Sequence, residues 1–182
     1  MTRSMPTSDT QRLADSNLAV LRQALELVRR LSDEDYGATT EQLPRGGIGA
    51  HFRHVFDHYD GFLRGLGPGR IDYDVRERDP ELETCRDRAL AKLEALARDV
   101  ARISVHDAHR TLHVALDCDE PEQRVWSTSS VARELQFLVS HTVHHFAVIA
   151  VMLRMRGFEP GRDFGVAPST LKYERGNAVC AH

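Results

Sequence analysis

The feature that most restricts the fold of this chain is a long apolar segment, Val131 to Arg156, that also carries histidines. Leu, Phe, Val, Ile and Met occupy nearly all sides of it when it is arranged as a helix, which is typical of a helix buried at the centre of a bundle. His141 and His145 lie within it at His-x-x-x-His spacing. Side chains four residues apart share one face of a helix, with Cβ atoms about 5–6 Å apart. That distance allows two imidazoles to bind one metal ion.

A second group of histidines, His51, His54 and His58, lies upstream on another segment with helical periodicity. Its members are three and four residues apart, so one or two of them can join the downstream pair. Neutral imidazole is the commonest metal ligand in proteins. Three protein nitrogens and a water molecule leave a coordination position open for chemistry, whereas four protein ligands close the shell and make the metal structural. Spacing alone leaves both alternatives open.

The alternative is that no metal binds and that these rings are packed or hydrogen-bonded in the core. A single histidine on a helix is usually a core group of this kind or a surface group. Two buried imidazoles side by side, however, need partners for all of their ring nitrogens. His144 lies off the ridge of His141 and His145 and is expected to pack elsewhere or to point outward. The remaining histidines are expected to be solvated or terminal: His106, His109, His113 and His182.

Composition favours one domain and excludes several classes of partner. The chain has 182 residues, 41% hydrophobic and 28% charged, and a net charge of −3, which predicts one soluble domain and no nucleic-acid partner. No uninterrupted apolar run reaches the roughly 18 residues of a membrane span, and no apolar signal sequence opens the chain. We therefore expect a cytoplasmic protein with no membrane partner. The predicted boundaries are a disordered segment at 1–12, one domain at 13–175 and a flexible end at 176–182.

The cysteines are odd in number and form no Cys-x-x-Cys pair, which indicates reduced thiols without a special role. They are Cys85, Cys118 and Cys180. Catalytic motifs of other classes are also missing: there is no Gly-x-Ser-x-Gly elbow. Thr142 and Val143 leave no glutamate between the paired histidines, so the zinc-protease pattern is absent.

Apolar periodicity predicts four helices. They extend from about Asp15 to Leu31, from Ile48 to the glycine cluster at 65–69, from Asp79-Pro80 to about Ile103, and from Val131 to Arg156. Two short strands, Leu112 to Cys118 and Arg124 to Ser127, are predicted to form a hairpin around a turn at Asp119–Glu122. Arg70–Arg78 and everything after Phe158 are expected to be irregular. The predicted fold is all-α, a four-helix up-down bundle with a short β-hairpin before the last long helix.

Two stretches resemble the DinB/YfiT-like superfamily of small four-helix metal-binding proteins. They are Ile48–Val55, which reads IGAHFRHV, and Leu138–Ile149, which reads LVSHTVHHFAVI. The end of the chain, Asp163–Leu171, is similar to the tail of one uncharacterised branch. The likeness extends from about the first helix to residue 173.

The resemblance implies a ligand set and a cofactor. It implies that His54, His141 and His145 bind a divalent metal such as zinc, nickel or iron, with water in the remaining positions. His58 is additional to the commonest pattern and is either a fourth ligand or a group near the metal or the substrate. The resemblance also implies a homodimer.

Characterised relatives use their metal to activate a low-molecular-weight thiol in transferase or isomerase reactions. The resemblance therefore implies a small-molecule substrate, with His58 or His51 as candidate catalytic residues that steer a proton or the substrate. The alternative is a metal-bound bundle without catalysis, which acts as a structural, sensing or interaction module.

Overall fold

Helices dominate the part of the chain that the computed structural model describes, residues 9–39, 46–103, 108–116 and 124–179. In chain order the elements are α1 (Asp9–Arg30), α2 (Asp33–Tyr36), α3 (Ile48–Leu66), β1 (Arg70–Asp72), α4 (Glu81–Thr84), α5 (Arg86–Val100), β2 (Thr111–Leu116), β3 (Val125–Ser130), α6 (Val131–Met155) and α7 (Pro168–Val179). A mostly helical fold is confirmed, but the three strands correct the all-α prediction. The up-down arrangement of four helices stays a prediction.

The long helices share one apolar core. α1 packs against α5 and α6, and α3 packs against the same two helices. Large side chains of α3 and α6 are fully buried in this core, among them Phe52, Phe56, Tyr59, Phe62 and Phe146. Each such side chain contributes about 1.5–3 kcal/mol relative to exposure. The direct contact between α3 and α6 is what brings the two histidine groups together.

A three-stranded sheet in the order β1-β2-β3 lies beside the helices. β2 and β3 are antiparallel, with Val114 opposite Ser127, so the predicted hairpin is confirmed; its predicted turn lies outside the described residues. β1 pairs in parallel with β2, with Ile71 opposite Val114. The prediction that Arg70–Arg78 is wholly irregular is therefore wrong. Three residues of strand give too short a pattern to be read from sequence.

The predicted third helix is divided at Cys85, whose backbone is extended (φ −105°, ψ 102°). The hydroxyl of Tyr36 donates to the carbonyl oxygen of Leu82 at 2.6 Å, which is the oxygen that Arg86 would use in a continuous helix. The division thus depends on a contact between residues distant in the sequence, which a local pattern does not contain.

Both ends of the chain contain more helix than the sequence predicted. α1 begins at Asp9, because its first polar residues extend the helix beyond the apolar stripe. α7 corrects the prediction of an irregular tail; most of its described side chains are exposed, so no apolar stripe marked it. The division into domain and flexible ends stays a prediction.

By length and mean hydropathy, α6 is the one helix among the described residues that could cross a membrane. It packs here against α1 and α3, and the core helix of a soluble protein passes the same test. This is weak evidence, and the predicted absence of a membrane partner stays a prediction.

A turn near the C-terminus lies directly on α6. The ring of Phe164 stacks on that of Phe146, with centroids 4.7 Å apart. Gly165 has a φ of +75°, and a Cβ added there would lie 2.6 Å from the backbone nitrogen of Ala147. Only glycine combines this left-handed conformation with so close an approach of two backbones.

We expect Gly165→Ala to lower the free energy of unfolding more than Gly157→Ala. Gly157 has a similar φ of +79° but open space around its Cα, so the control has only the left-handed strain of about 1–2 kcal/mol. Overpacking at Gly165 adds about 1–3 kcal/mol. Urea unfolding of both variants measures the difference, and equal losses would show that the turn does not hold this position against α6.

Candidate metal centre

Five histidine side chains from α3 and α6 meet between the two helices. The Nε2 atom of His141 lies 3.2 Å from Nε2 of His54 and 3.2 Å from Nε2 of His145. The ring centroids of His54 and His145 are 4.6 Å apart. The structure therefore places all three predicted ligands in contact with one another, although they come from two distant segments.

Among the described residues, one group of three histidine nitrogens lies close enough together to hold a metal ion. His54, His58 and His141 each offer a ligand atom, and these atoms all lie within 4.8 Å of one another. The set implied by the resemblance has His145 in place of His58. His54 and His141 belong both to this group and to the set that the resemblance implies. The third ligand is then His58 or His145, or both of them bind.

The spacing of the nitrogens is close to that of a coordinated ion. Two nitrogens bound to one zinc ion at about 2.0–2.1 Å stand about 3.3–3.4 Å apart in a tetrahedral shell. The observed separations of 3.2 Å from His141 to His54 and to His145 are nearly this value.

Hydrogen bonds alone do not satisfy His141. Its Nδ1 is buried and has no hydrogen-bond partner, while its Nε2 faces two other imidazole nitrogens. A ring nitrogen carries either one proton or one lone pair, so it cannot form a full hydrogen bond with each neighbour. A cation that accepts the lone pairs of several rings resolves this conflict, and the donor set fits a divalent transition metal.

Burial keeps the rings neutral, which is the form that binds metal. It lowers the pKa of His141 to about 2, of His54 to about 3 and of His145 to about 4, and positive charge on neighbouring histidines adds to the effect. Burial also lowers the pKa of His51 and of His58. At neutral pH all five rings therefore present lone pairs.

His58 is held in a form that can bind metal. Its Nδ1–H donates to the backbone oxygen of His54 at 2.9 Å, which leaves the lone pair on Nε2. Its ring stacks on that of His141 at 3.9 Å and on that of Tyr73 at 5.2 Å. This geometry is compatible with a ligand and with a proton acceptor beside the metal.

His51 contacts His145 at Nδ1, the ring nitrogen that does not face His141. Their Nδ1 atoms are 3.0 Å apart, so one ring donates to the other. When His145 is the donor, its Nε2 keeps the lone pair and faces His141. Partners of this kind fix the tautomer and orientation of a metal-binding histidine.

Arg76 is a site residue that the sequence did not reveal. Its Nη1 lies 2.7 Å from Nδ1 of His54. The sequence places Arg76 only in the segment Arg70–Arg78, which is expected to be irregular. No motif marks Arg76, since many arginines surround it and only the path of the loop after β1 brings this one to the site.

A cavity of about 740 Å³ lies between the sheet and α6, one layer of side chains away from the histidines. Tyr73 and Phe137 line it, and their rings also contact His58 and His141 respectively. The carboxylate of Glu134, which is fully buried, accepts hydrogen bonds from Tyr73 at 2.8 Å and from the hydroxyl of Ser129. The cavity is thus lined by aromatic side chains on one side and by polar side chains on the other, and the aromatic ones contact residues of the candidate metal site.

The other histidines of the described residues are exposed. His144 is exposed, although its ring centroid lies 5.2 Å from that of His145. His109 and His113 are exposed too. Cys85 is a free, half-buried thiol. The predictions for His106, His182, Cys118 and Cys180 concern residues outside the described part of the chain.

Comparison with known proteins agrees with the histidine motifs. The pattern of the DinB family matches residues 5–172. FK506-binding protein 5 of Rhizopus delemar is 30% identical over 106 residues, which are 57% of this chain and 27% of that protein. This chain thus covers about a quarter of that relative's length. No solved structure matches significantly.

The depressed pKa values predict that acid destabilises the metal-free protein. The unfolded histidines have a pKa near 6.5, so below that pH the unfolded state binds more protons than the fold. Stability is complete above about pH 7 and falls with decreasing pH, by up to about 1.4 kcal/mol per pH unit for each ring that stays neutral. Urea unfolding with a chelator at pH 7.5, 6.5 and 5.5 measures the slope.

His141→Phe should reduce this slope, because it removes one of the rings whose pKa is lowered. His113→Asn, an exposed change on β2, is the control and should keep the slope of the wild type. A wild-type stability that does not change between pH 7.5 and 5.5 would contradict the assignment of neutral buried rings.

Proposed function

Because this chain belongs to the DinB family, we propose that its facing histidines bind one divalent metal ion and form the centre of a metal-dependent enzyme. The main support is the position of His141, whose Nε2 lies 3.2 Å from Nε2 of both His54 and His145. We assign these three residues as the ligands, and zinc, nickel or iron as the ion.

The proposed chemistry is activation of a low-molecular-weight thiol or of water, in a transferase or isomerase reaction. A bound cation lowers the pKa of a thiol or water in its open position and so supplies the nucleophile at neutral pH. His51 accepts a hydrogen bond from Nδ1–H of His145. This contact holds the ring of His145 with its Nε2 toward the site. His58, with its free Nε2, takes up the proton that the nucleophile loses.

We place the reacting end of the substrate at the metal centre, and the cavity of about 740 Å³ lined by Tyr73 and Phe137 gives room for the rest of the molecule. A volume of this size is in the range of small-molecule sites. The aromatic rings offer an apolar wall, and the ion pair of Arg133 with Glu134 at 2.9 Å, beside Phe137, adds a polar one. These features support a small polar molecule rather than a macromolecule, and we propose no nucleic-acid or membrane partner.

One observation favours the non-catalytic alternative. His58 offers a nitrogen in the same group as His54 and His141, and with His145 it would make four protein ligands. A closed shell of four nitrogens would make the metal structural. The module would then serve in sensing or interaction.

The proposed homodimer is supported by exposed apolar side chains on α6. Val151 and Met155, four residues apart, are 49% and 53% exposed. A second copy of the chain is the partner that we propose for this face, and the cytoplasm is the proposed location.

His141→Ala should lower metal affinity by at least about 100-fold, since it removes a ligand common to both possible sets. His113→Ala, an exposed change on β2, should bind metal as the wild type does. Elemental analysis of protein purified without a histidine tag, followed by zinc titration, gives stoichiometry and affinity. Stoichiometric metal in His141→Ala would exclude this site.

Comparison of His58→Ala with His145→Ala separates the two functions. For the enzyme, His58→Ala keeps its metal and loses thiol-dependent turnover, whereas His145→Ala loses the metal. The assay is conjugation of glutathione and of cysteine to a chromogenic electrophile, together with the melting temperature of the metal-loaded protein. Equal losses of metal and melting temperature in both variants would favour the structural module.

A further inference from the structure

Arg76 is a positive charge without a carboxylate partner among the described residues. It is half-buried; its Nη1 contacts His54, and its Nε is buried with no hydrogen-bond partner. Arg53 shows the contrast, because its guanidinium binds Asp57 at 2.7 Å and Glu83 at 2.6 Å. Removing a guanidinium from water without pairing it with an anion costs free energy. The position of Arg76 therefore favours the binding of an anion that the described residues do not supply.

The contact between Arg76 and His54 conflicts with a metal at His54. Arginine has donors and no acceptor, so Nδ1 of His54 must be the acceptor at 2.7 Å. In the neutral ring the proton then lies on Nε2, the atom that faces His141. A ligand through Nε2 needs the opposite tautomer, whose Nδ1–H would face a donor. Metal binding at His54 therefore releases Arg76 from this ring.

The carboxylates near Arg76 already have arginine partners, although the charge of Arg76 also acts on one of them, Asp57. The buried carboxylate of Asp57 is already bound to Arg53 at 2.7 Å. Asp72, at the end of β1, is paired with Arg124 at 2.7 Å. A released Arg76 thus keeps its charge beside the ion with its fork of donors unoccupied.

We propose that Arg76 determines substrate specificity by binding a carboxylate of the molecule that occupies the metal centre. The proposal rests on the proposed function and names its substrate class: an anionic, carboxylate-bearing thiol or co-substrate. A planar guanidinium binds a planar carboxylate through two parallel hydrogen bonds. With one end of the substrate on the metal and the other on Arg76, the reacting atoms are fixed in orientation.

The test uses the cobalt(II)-loaded protein, in which a bound thiolate gives a charge-transfer band in the near ultraviolet. Mercaptoacetate, 2-mercaptoethanol and cysteamine carry a negative, neutral and positive group respectively. Wild-type protein should bind mercaptoacetate at least about tenfold more tightly than the other two, because the ion pair is charge-assisted. Arg76→Met should lose this preference, and Arg76→Lys should keep part of it.

The control is Arg102→Met, which removes the same charge from an exposed pair with Asp99 at the end of α5 and should keep the preference. Arg76→Met should bind cobalt as tightly as the wild type or more tightly, since a competing donor is gone. Retained preference for mercaptoacetate in Arg76→Met would overturn the proposal. Loss of cobalt from Arg76→Met would also overturn it, because Arg76 would then support the metal rather than the substrate.

Malonate separates this proposal from thiol chemistry. If none of the thiols gives a charge-transfer band in the wild type, the thiol function fails, and malonate binding is followed in the visible cobalt bands instead. Binding to the wild type that is at least about tenfold tighter than to Arg76→Met supports the anion site. Equal affinities, or no binding, overturn it.

Discussion

The packing of α3 on α6 is the contact on which the site depends. Phe52 and Phe146 meet there with ring centroids 5.9 Å apart, and both are fully buried. Each directly follows a histidine of the polar pair, His51 and His145. The apolar contact therefore fixes the register of the two helices, and the histidines meet because the phenylalanines beside them do. Phe164 extends the same stack from the C-terminal turn.

This arrangement separates the stability of the fold from the binding of metal. The core contains many aromatic and aliphatic side chains from α1, α3, α5 and α6 besides the histidines, and they supply the main free energy of folding. In small zinc domains, by contrast, metal binding is itself the folding energy. Here the rings are brought together by the core, so the main change that an ion requires is the release of Arg76 from His54.

Much of this could be predicted from the sequence, because strong apolar periodicity marks the buried helices. The bounds of α3 and α6 and the strands of the hairpin follow from local patterns, and the spacing of the histidines identifies the facing sides. What could not be predicted depends on tertiary contacts: the helix break at Cys85 requires the hydroxyl of Tyr36. α7 could not be predicted because it lacks an apolar stripe. Arg76 could not be singled out among the many arginines of the sequence, because only the fold brings it into contact with His54.

The partners of the ring nitrogens differ in a way that bears on function. His58 donates from Nδ1 to a carbonyl oxygen and His145 meets another imidazole, so both rings can present Nε2 to an ion without rearrangement. His54 alone among these meets a cation, Arg76. The occupancy of the metal centre and the position of this guanidinium are therefore linked: an ion at His54 frees Arg76, and an anion that binds Arg76 removes the donor that opposes the ion. By reciprocity each should favour the other, which couples substrate charge to metal affinity through a single side chain.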